Sequence, residues 1–395
     1  VRNVNDRHRP LIVILIALAS SVLVTGGLAV YLTLARQGGG EADVVVQVTS
    51  ELPVASVAPG EPRIAFTSDR EGDVAIYVMH ADGLHQQRVS EPGRGFCIYP
   101  SWSPDGQRVA YIEVQEEPTE EAHTGAEIWI SAADGTEHIR VSHAISHVLS
   151  IQPTWSPDGT RLAFVAATGS AEADDFTSVI HIAGTDGSIV RSLPLPWMIY
   201  HLAWSPTGDE WLLISETSDG ERVVHTLSGD GNEISEVFRG ALAAAWSPDG
   251  AEIAVGDQAS REVIVLGRDQ EPRSAIQLSS NAGVGMQPVE IAWSPDGARI
   301  AVAAARNPRQ GYADALYIAT LETDEIVAVV KDEGWVAQPN WSPDGSHLLF
   351  TMGPLRQRPG VDLPYGNLWV YDVIPGELRQ LTLSAGFDGV GAWSP

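Results

Sequence analysis

The stretch "SWSPDG" at Ser101–Gly106 is one of a series. Trp followed by Ser-Pro stands at Trp102, Trp155, Trp204, Trp246, Trp293, Trp341 and Trp393, at intervals of 53, 49, 42, 47, 48 and 52 residues. After each of the first six comes Asp-Gly, or once Thr207-Gly208, and then a short apolar run: "RVAYIE", "RLAFVA", "EWLLIS", "EIAVGD", "RIAVAA", "HLLFTM". Ser-Pro-Asp-Gly suits a type I turn, with Pro pre-setting φ at the second position and Gly at the fourth, where a left-handed backbone is cheap. The runs are short, β-branched or aromatic, and bounded by turns, so they read as buried strands. A third apolar segment follows in each unit ("AEIWISAADG", "SVIHIAGTDG"), then a more polar one ("EHIRVS", "LRQLTL") suited to an outer edge.

Four short antiparallel strands per repeat, with one large aromatic at the innermost strand, predict an all-β chain folded as a β-propeller. The seven tryptophans are then wedges between neighbouring sheets, and the repeated turn is structural rather than a ligand site. "RIAFTS" at Arg63–Ser68 lacks a preceding Trp, and "DGVGAWSP" at Asp388–Pro395 is an inner strand with nothing after it. Joined, they complete one blade, so the expectation is seven blades over residues 61–395, closed by the C-terminal strand, with Pro395 taken as a true end. Closure of this kind hides edge strands.

"IAFTSDREGDVAIYVMHADG", followed by "PSWSPDG", resembles the WD40-like repeat of TolB-type propellers, which recurs in the propeller domains of prolyl oligopeptidase and dipeptidyl peptidase IV relatives. The resemblance covers about Arg63 to Pro395 and implies the fold, not an activity. TolB-type proteins carry a separate α/β domain ahead of the propeller. Here only residues 41–60 stand between the apolar N-terminal segment and the first strand, so partner contacts associated with that domain are not carried over.

The chain has 395 residues and a formal net charge of −27. Arg2, Arg7, Arg9 and Arg36 against Asp6 give residues 1–36 a charge of +3, leaving −30 on the rest. Such a surface repels phosphate-rich partners, so nucleic acid is not expected. Leu11 to Ala35 run 25 residues without a charge, about 37 Å as a helix against a hydrocarbon core of about 30 Å. Arginines precede it and acids follow, so residues 1–10 are expected as a cytoplasmic tail, 11–35 as a transmembrane signal anchor and 36–60 as a linker. The propeller then lies outside the cytoplasm, periplasmic or at the cell surface. The alternative is a signal peptide cleaved near Ala35.

Cys97 is the only cysteine, which excludes internal disulfides and cysteine metal clusters. No Gly-x-Ser-x-Gly, His-Glu-x-x-His, phosphate loop or dinucleotide fingerprint occurs, so no catalytic residue, metal or cofactor is assigned. His143 and His147 read as loop residues, and "SGDGNEISE" at Ser228–Glu236 as a turn rather than a calcium loop. Aromatics shortly before the repeat tryptophans, Phe96, Tyr99, Trp197, Tyr200, Trp335 and Phe387, either ring the channel mouth or plug the core between blades. Arg306, Arg309, Arg356 and Arg358 either join them in binding or are solvated loop residues paired with acids. The leading expectation is a membrane-anchored module that binds a protein or small ligand on its loop face. The alternative is a propeller lyase or hydrolase acting on sugar or peptide in the central funnel.

Overall fold

In the computed structural model every repeat turn is built the same way. Ser103 N–H bonds to Arg108 C=O at 2.9 Å, and Gly106 N–H bonds back to Ser103 C=O at 2.8 Å. Ser103 Oγ donates to Asp105 Oδ1 at 2.5 Å and accepts the Arg108 N–H at 3.0 Å. Gly106 has φ +65°, a left-handed conformation in which a Cβ would be strained. The turns at Ser156, Ser247, Ser294 and Ser342 repeat this pattern. In the turn at Ser205, where Thr207 replaces the aspartate, the carboxylate of Asp209 takes over as acceptor.

The structure describes residues 61–91, 95–114, 125–141, 145–146, 152–168, 177–217, 219–278, 285–308, 312–354 and 366–395. The expected anchor at 11–35 lies outside them. No helix among the described residues is long and apolar enough to cross a membrane.

The turns separate β-strands throughout. β1 (Arg63–Ser68), β2 (Ala75–His80) and β3 (Gln87–Arg88) come first. β4 (Phe96–Trp102), β5 (Arg108–Val114), β6 (Gly125–Ala132) and β7 (His138–Arg140) follow, with a short β8 (Ile145–Ser146) on β6. Next are β9 (Thr154–Trp155), β10 (Arg161–Thr168), β11 (Thr177–Gly184) and β12 (Ile189–Leu195). β13 (Met198–Trp204), β14 (Glu210–Glu216), β15 (Arg222–Ser228) and β16 (Ile234–Arg239) form another unit. So do β17 (Ala241–Trp246), β18 (Glu252–Asp257), β19 (Glu262–Gly267) and β20 (Pro272–Gln277). β21 (Gln287–Trp293), β22 (Arg299–Ala305) and β23 (Ala313–Thr320) lead into the long β24 (Glu325–Trp341), whose first half pairs with β23 and second half with the next strand. β25 (His347–Gly353), β26 (Asn367–Asp372), β27 (Glu377–Gln380) and β28 (Asp388–Trp393) complete the chain.

Each unit is an antiparallel sheet in sequence order, except that β28 pairs with β1, through Ile64 opposite Trp393 and Ser68 opposite Asp388. The ends are tied further by Ser394 N–H on Arg63 C=O at 2.7 Å and Arg63 N–H on Ser394 Oγ at 2.9 Å. A buried Asp388 accepts Ser68 Oγ at 2.5 Å and the Arg70 guanidinium at 3.0 Å across the same seam.

The first strands of several neighbouring sheets lie side by side. β4 touches β9, β9 touches β13, β17 touches β21, β21 touches β24, and β24 and β4 both touch β28, while β14 and β15 pack on β17. A separate apolar core fills each gap between neighbouring sheets, including the gap between last and first, where Leu349, Leu368 and Val370 meet Ile64, Phe66 and Tyr77. Together these contacts make a ring of antiparallel sheets, a β-propeller.

Within this ring the tryptophans form a directional ladder. The indole N–H of Trp155 donates to Ser101 C=O at 3.1 Å, that of Trp204 to Thr154 C=O at 3.2 Å, and that of Trp341 to Ala292 C=O at 3.0 Å. Each acceptor is the residue just before the preceding repeat Trp. The ladder crosses the seam, because Trp102 donates to Ala392 C=O at 3.0 Å. The Trp246 and Trp393 indole N–H groups have no partner. Arg63, Arg161 and Arg299 lay their guanidinium groups over Trp102, Trp204 and Trp341 of the following sheet, 5.0–5.6 Å from the ring centres. Neighbouring turns also abut: a Cβ at Gly159, Gly208 or Gly345 would lie 3.4–3.6 Å from the Pro ring of the preceding turn.

Candidate functional site

Three residues before each repeat Trp, the innermost strands carry Tyr99, Gln152, His201, Ala243, Glu290, Gln338 and Val390. The strand pairing slips at this point, between Ile98 and Ser101, Ile199 and His201, Pro288 and Glu290, and Ala337 and Asn340. Tyr99, Gln338 and Val390 have φ of 57°, 58° and 53°. Bulges of this kind re-aim side chains. Contacts between non-adjacent stretches of chain show where these groups meet: Gln152 Nε2 donates to Pro100 C=O at 2.5 Å, and Glu290 Oε2 accepts the Gln338 backbone N–H. The Tyr99 phenol is shifted up by burial and then by the charge of Glu290, from a different sheet. Glu290 thus lies near Tyr99 and the Gln338 backbone, Gln152 reaches back to β4, and His201 holds the corresponding place on β13; we call this column of positions the throat.

Its electrostatics are uneven. Burial pushes the Glu290 carboxyl up to about 7, opposed by the Gln338 N–H, which favours the charged form. Burial also lowers the His201 imidazole to about 4, so it is neutral at physiological pH. Both side chains are half-buried, which leaves them in reach of water. Among the described residues no group of three His, Cys, Asp or Glu side chains could hold a metal ion.

The sequence-derived candidates that are described have different surroundings. Tyr99 belongs to the throat. Trp197 stacks on His225 with ring centres 4.9 Å apart, and Tyr200 lies exposed beneath the Arg222 guanidinium at 4.5 Å, both on the β13–β16 sheet. Trp335 is buried and fills the space beside Gly366, where a Cβ would come within 2.8 Å of its ring. Phe387 is buried too, bridged to the same Gly366. Arg306 is paired with Asp314, which accepts its backbone N–H at 2.8 Å. Arg309, Arg356, Arg358, His143 and His147 lie outside the described residues. Phe96 is partly exposed at the start of β4, and Cys97 is buried beside it, its thiol pushed up to about 12 by burial and then by Glu113. The "SGDGNEISE" stretch is a turn between β15 and β16, with Asp230 accepting Ser228 Oγ and the Asn232 N–H.

Gln152, His201, Glu290 and Gln338 were not singled out in the sequence. The signal was present in the column read three places before each repeat Trp, where small apolar residues alternate with Tyr, Gln, His and Glu.

No family model matches the chain. It is 31% identical over 158 residues to the Tol-Pal system protein TolB of Desulfosudis oleivorans, a match spanning 40% of this chain and 31% of that protein. Over that stretch the chain is similar to a TolB protein, in keeping with the propeller fold. It is also 30% identical over 125 residues to a Bacillus subtilis protein named uncharacterized peptidase YuxL, across 31% of this chain and 18% of that one. The matched stretches thus span less than a third of these curated relatives. Among solved structures, the β-propeller domain of the Trilobed protease from Pyrococcus furiosus superposes with a TM-score of 0.55 at 14% identity, covering 83% of this chain and 94% of that domain. At that identity the likeness concerns the β-propeller fold alone.

Proposed function

We propose that the protein is a closed seven-bladed propeller that acts as an extracytoplasmic binding module, anchored in a membrane by residues 11–35, with no covalent chemistry of its own. The observation that carries the reading is the throat. Five hydrogen-bonding residues stand at the corresponding place, three residues before a repeat Trp, around the ring, and rigid scaffolds of this kind are where binding groups are best held. The seven-blade count is supported by the pairing of β28 with β1 and by the core between the last and first sheets. The anchor is supported by the charge asymmetry about the 25-residue apolar segment. Tyr99, Trp197, Tyr200 and Arg306 remain candidates for contact with a protein or small-ligand partner, as do Arg309, Arg356 and Arg358 by their place in the sequence.

A propeller enzyme acting on sugar or peptide is the second reading, and Glu290 favours it, since a carboxyl near 7 suits a general acid or base. It has no second carboxylate among the throat positions to complete the pair that glycoside hydrolysis uses.

The test is capture of the native partner from solubilised membranes by the full chain and by Tyr99→Ala, Gln152→Ala and Gln338→Ala variants. Loss of capture by about tenfold or more, with the thermal melt retained, is expected. Capture unchanged in all three overturns the throat reading. A tag ahead of Arg2 should resist protease added from outside while the propeller is cut.

A further inference from the structure

Glu290 is the one acid among the throat positions, and its surroundings hold no cation for it. Among the described residues its hydrogen bond is that from the Gln338 backbone N–H, and no Arg, Lys or His pairs with it. The groups that face it are Tyr99 from β4 and Gln338 from β24. β17 and residues 336–341 of β24 carry no titratable side chain, and Asp257 on β18 is held by the amides of Ala259 and Ser260. Arg299 on β22 is turned to Trp341 and the Gly345 carbonyl. The remaining throat groups are amides, a phenol and an imidazole that stays neutral.

A half-buried carboxylate with no cation beside it is completed by a guest of opposite charge that reaches it from water. A metal ion needs several anionic or imidazole ligands converging, and only one carboxylate is present. An organic cation needs a single carboxylate, which Glu290 supplies, and gains from a nearby aromatic group such as Tyr99.

Resting on the throat as the binding site, we propose that its ligand carries an ammonium or guanidinium group, which pairs with the Glu290 carboxylate near Tyr99. The same chemistry serves a free amine and a Lys or Arg side chain presented by a partner.

The test is titration calorimetry on the full chain with n-butylammonium, n-butylguanidinium, n-butanol and butyrate, alongside short Lys- or Arg-containing peptides. The two cations should bind with one-to-one stoichiometry, and butanol and butyrate at least tenfold more weakly. Because the free carboxyl is largely protonated at pH 6 and ionised at pH 8, cation affinity should rise about tenfold between them, with proton release at pH 6. Glu290→Gln should remove at least tenfold of the affinity while keeping the fold by circular dichroism. Peptides binding at least tenfold tighter than the free amines would identify a partner side chain as the source, and the reverse a small amine. Equal binding of cations and butanol, no cation binding, or Glu290→Gln binding cations like the parent overturns the cation assignment. If Glu290→Gln also captures the membrane partner normally while Gln152→Ala and Gln338→Ala do not, the throat reading survives and the cation assignment alone falls.

Discussion

At the scale of single residues, the repeat Trp does two things: it fills the space between sheets and ties itself to the sheet before it. Truncating Trp155 to Ala should cost about 3 to 5 kcal/mol of stability, measured by denaturant unfolding. Phenylalanine separates the two roles. Trp155→Phe leaves the Ser101 carbonyl without its indole partner, whereas the Trp246 N–H has no acceptor to lose. Trp155→Phe should therefore be less stable than Trp246→Phe by about 1 kcal/mol; equal losses would mean that the ladder contributes nothing. The turn aspartates act in the acid range. Ser156 Oγ and the Thr160 amide hold Asp158 down to about 2, and Ser342 and Ser346 do the same for Asp344. A folded pKa below the unfolded one adds stability that is complete above about pH 4 and disappears as pH falls towards 2. Melts of Asp158→Asn and Asp344→Asn should accordingly lie below the parent at pH 6 and converge with it near pH 2.

At the scale of strands and sheets, the seam between β28 and β1 concentrates long-range bonds that no local turn supplies. Asp388→Ala removes the acceptor for Ser68 and the charge facing Arg70, and should cost about 3 kcal/mol. Trp335 and Phe387 are packed on Gly366, so Trp335→Ala should melt early. Trp197→Ala, which removes a stack on a half-exposed surface, should melt within a few degrees of the parent. The strands were legible because the Trp-Ser-Pro-Asp-Gly turn is a local device, encoded in consecutive residues and repeated. The site was not legible in the same way. Tyr99, His201 and Glu290 come from separate sheets, and what joins them is the ring, a relation that no linear stretch contains. Aromatics chosen for proximity to the repeat Trp were a mixed set for the same reason. Tyr200 and Trp335 both sit six or fewer residues ahead of a Trp, yet one lies under Arg222 at the surface and the other fills a gap at a glycine.

At the scale of the whole molecule, the throat exerts a stability cost. The Glu290 carboxyl titrates near 7 when folded and near 4.3 when unfolded, so the native state holds an extra proton between those values. Stability should fall as pH rises from about 4.5 to 7, and Glu290→Gln should escape that fall, ending about 1 to 3 kcal/mol more stable than the parent at pH 8. The repeat turns lie at the other extreme. Because each abuts the preceding one, their carboxylates at Asp105, Asp158, Asp209, Asp249, Asp296 and Asp344 share one face of the disc, and each is shifted towards its ionised form. That face carries six carboxylates which neutral or mildly acidic conditions do not neutralise, with Asp296 offset by the Arg299 guanidinium at 3.2 Å. Its field decays over about 8 Å at physiological salt, so it is felt only at close approach, where it would turn the disc's opposite face towards any anionic surface.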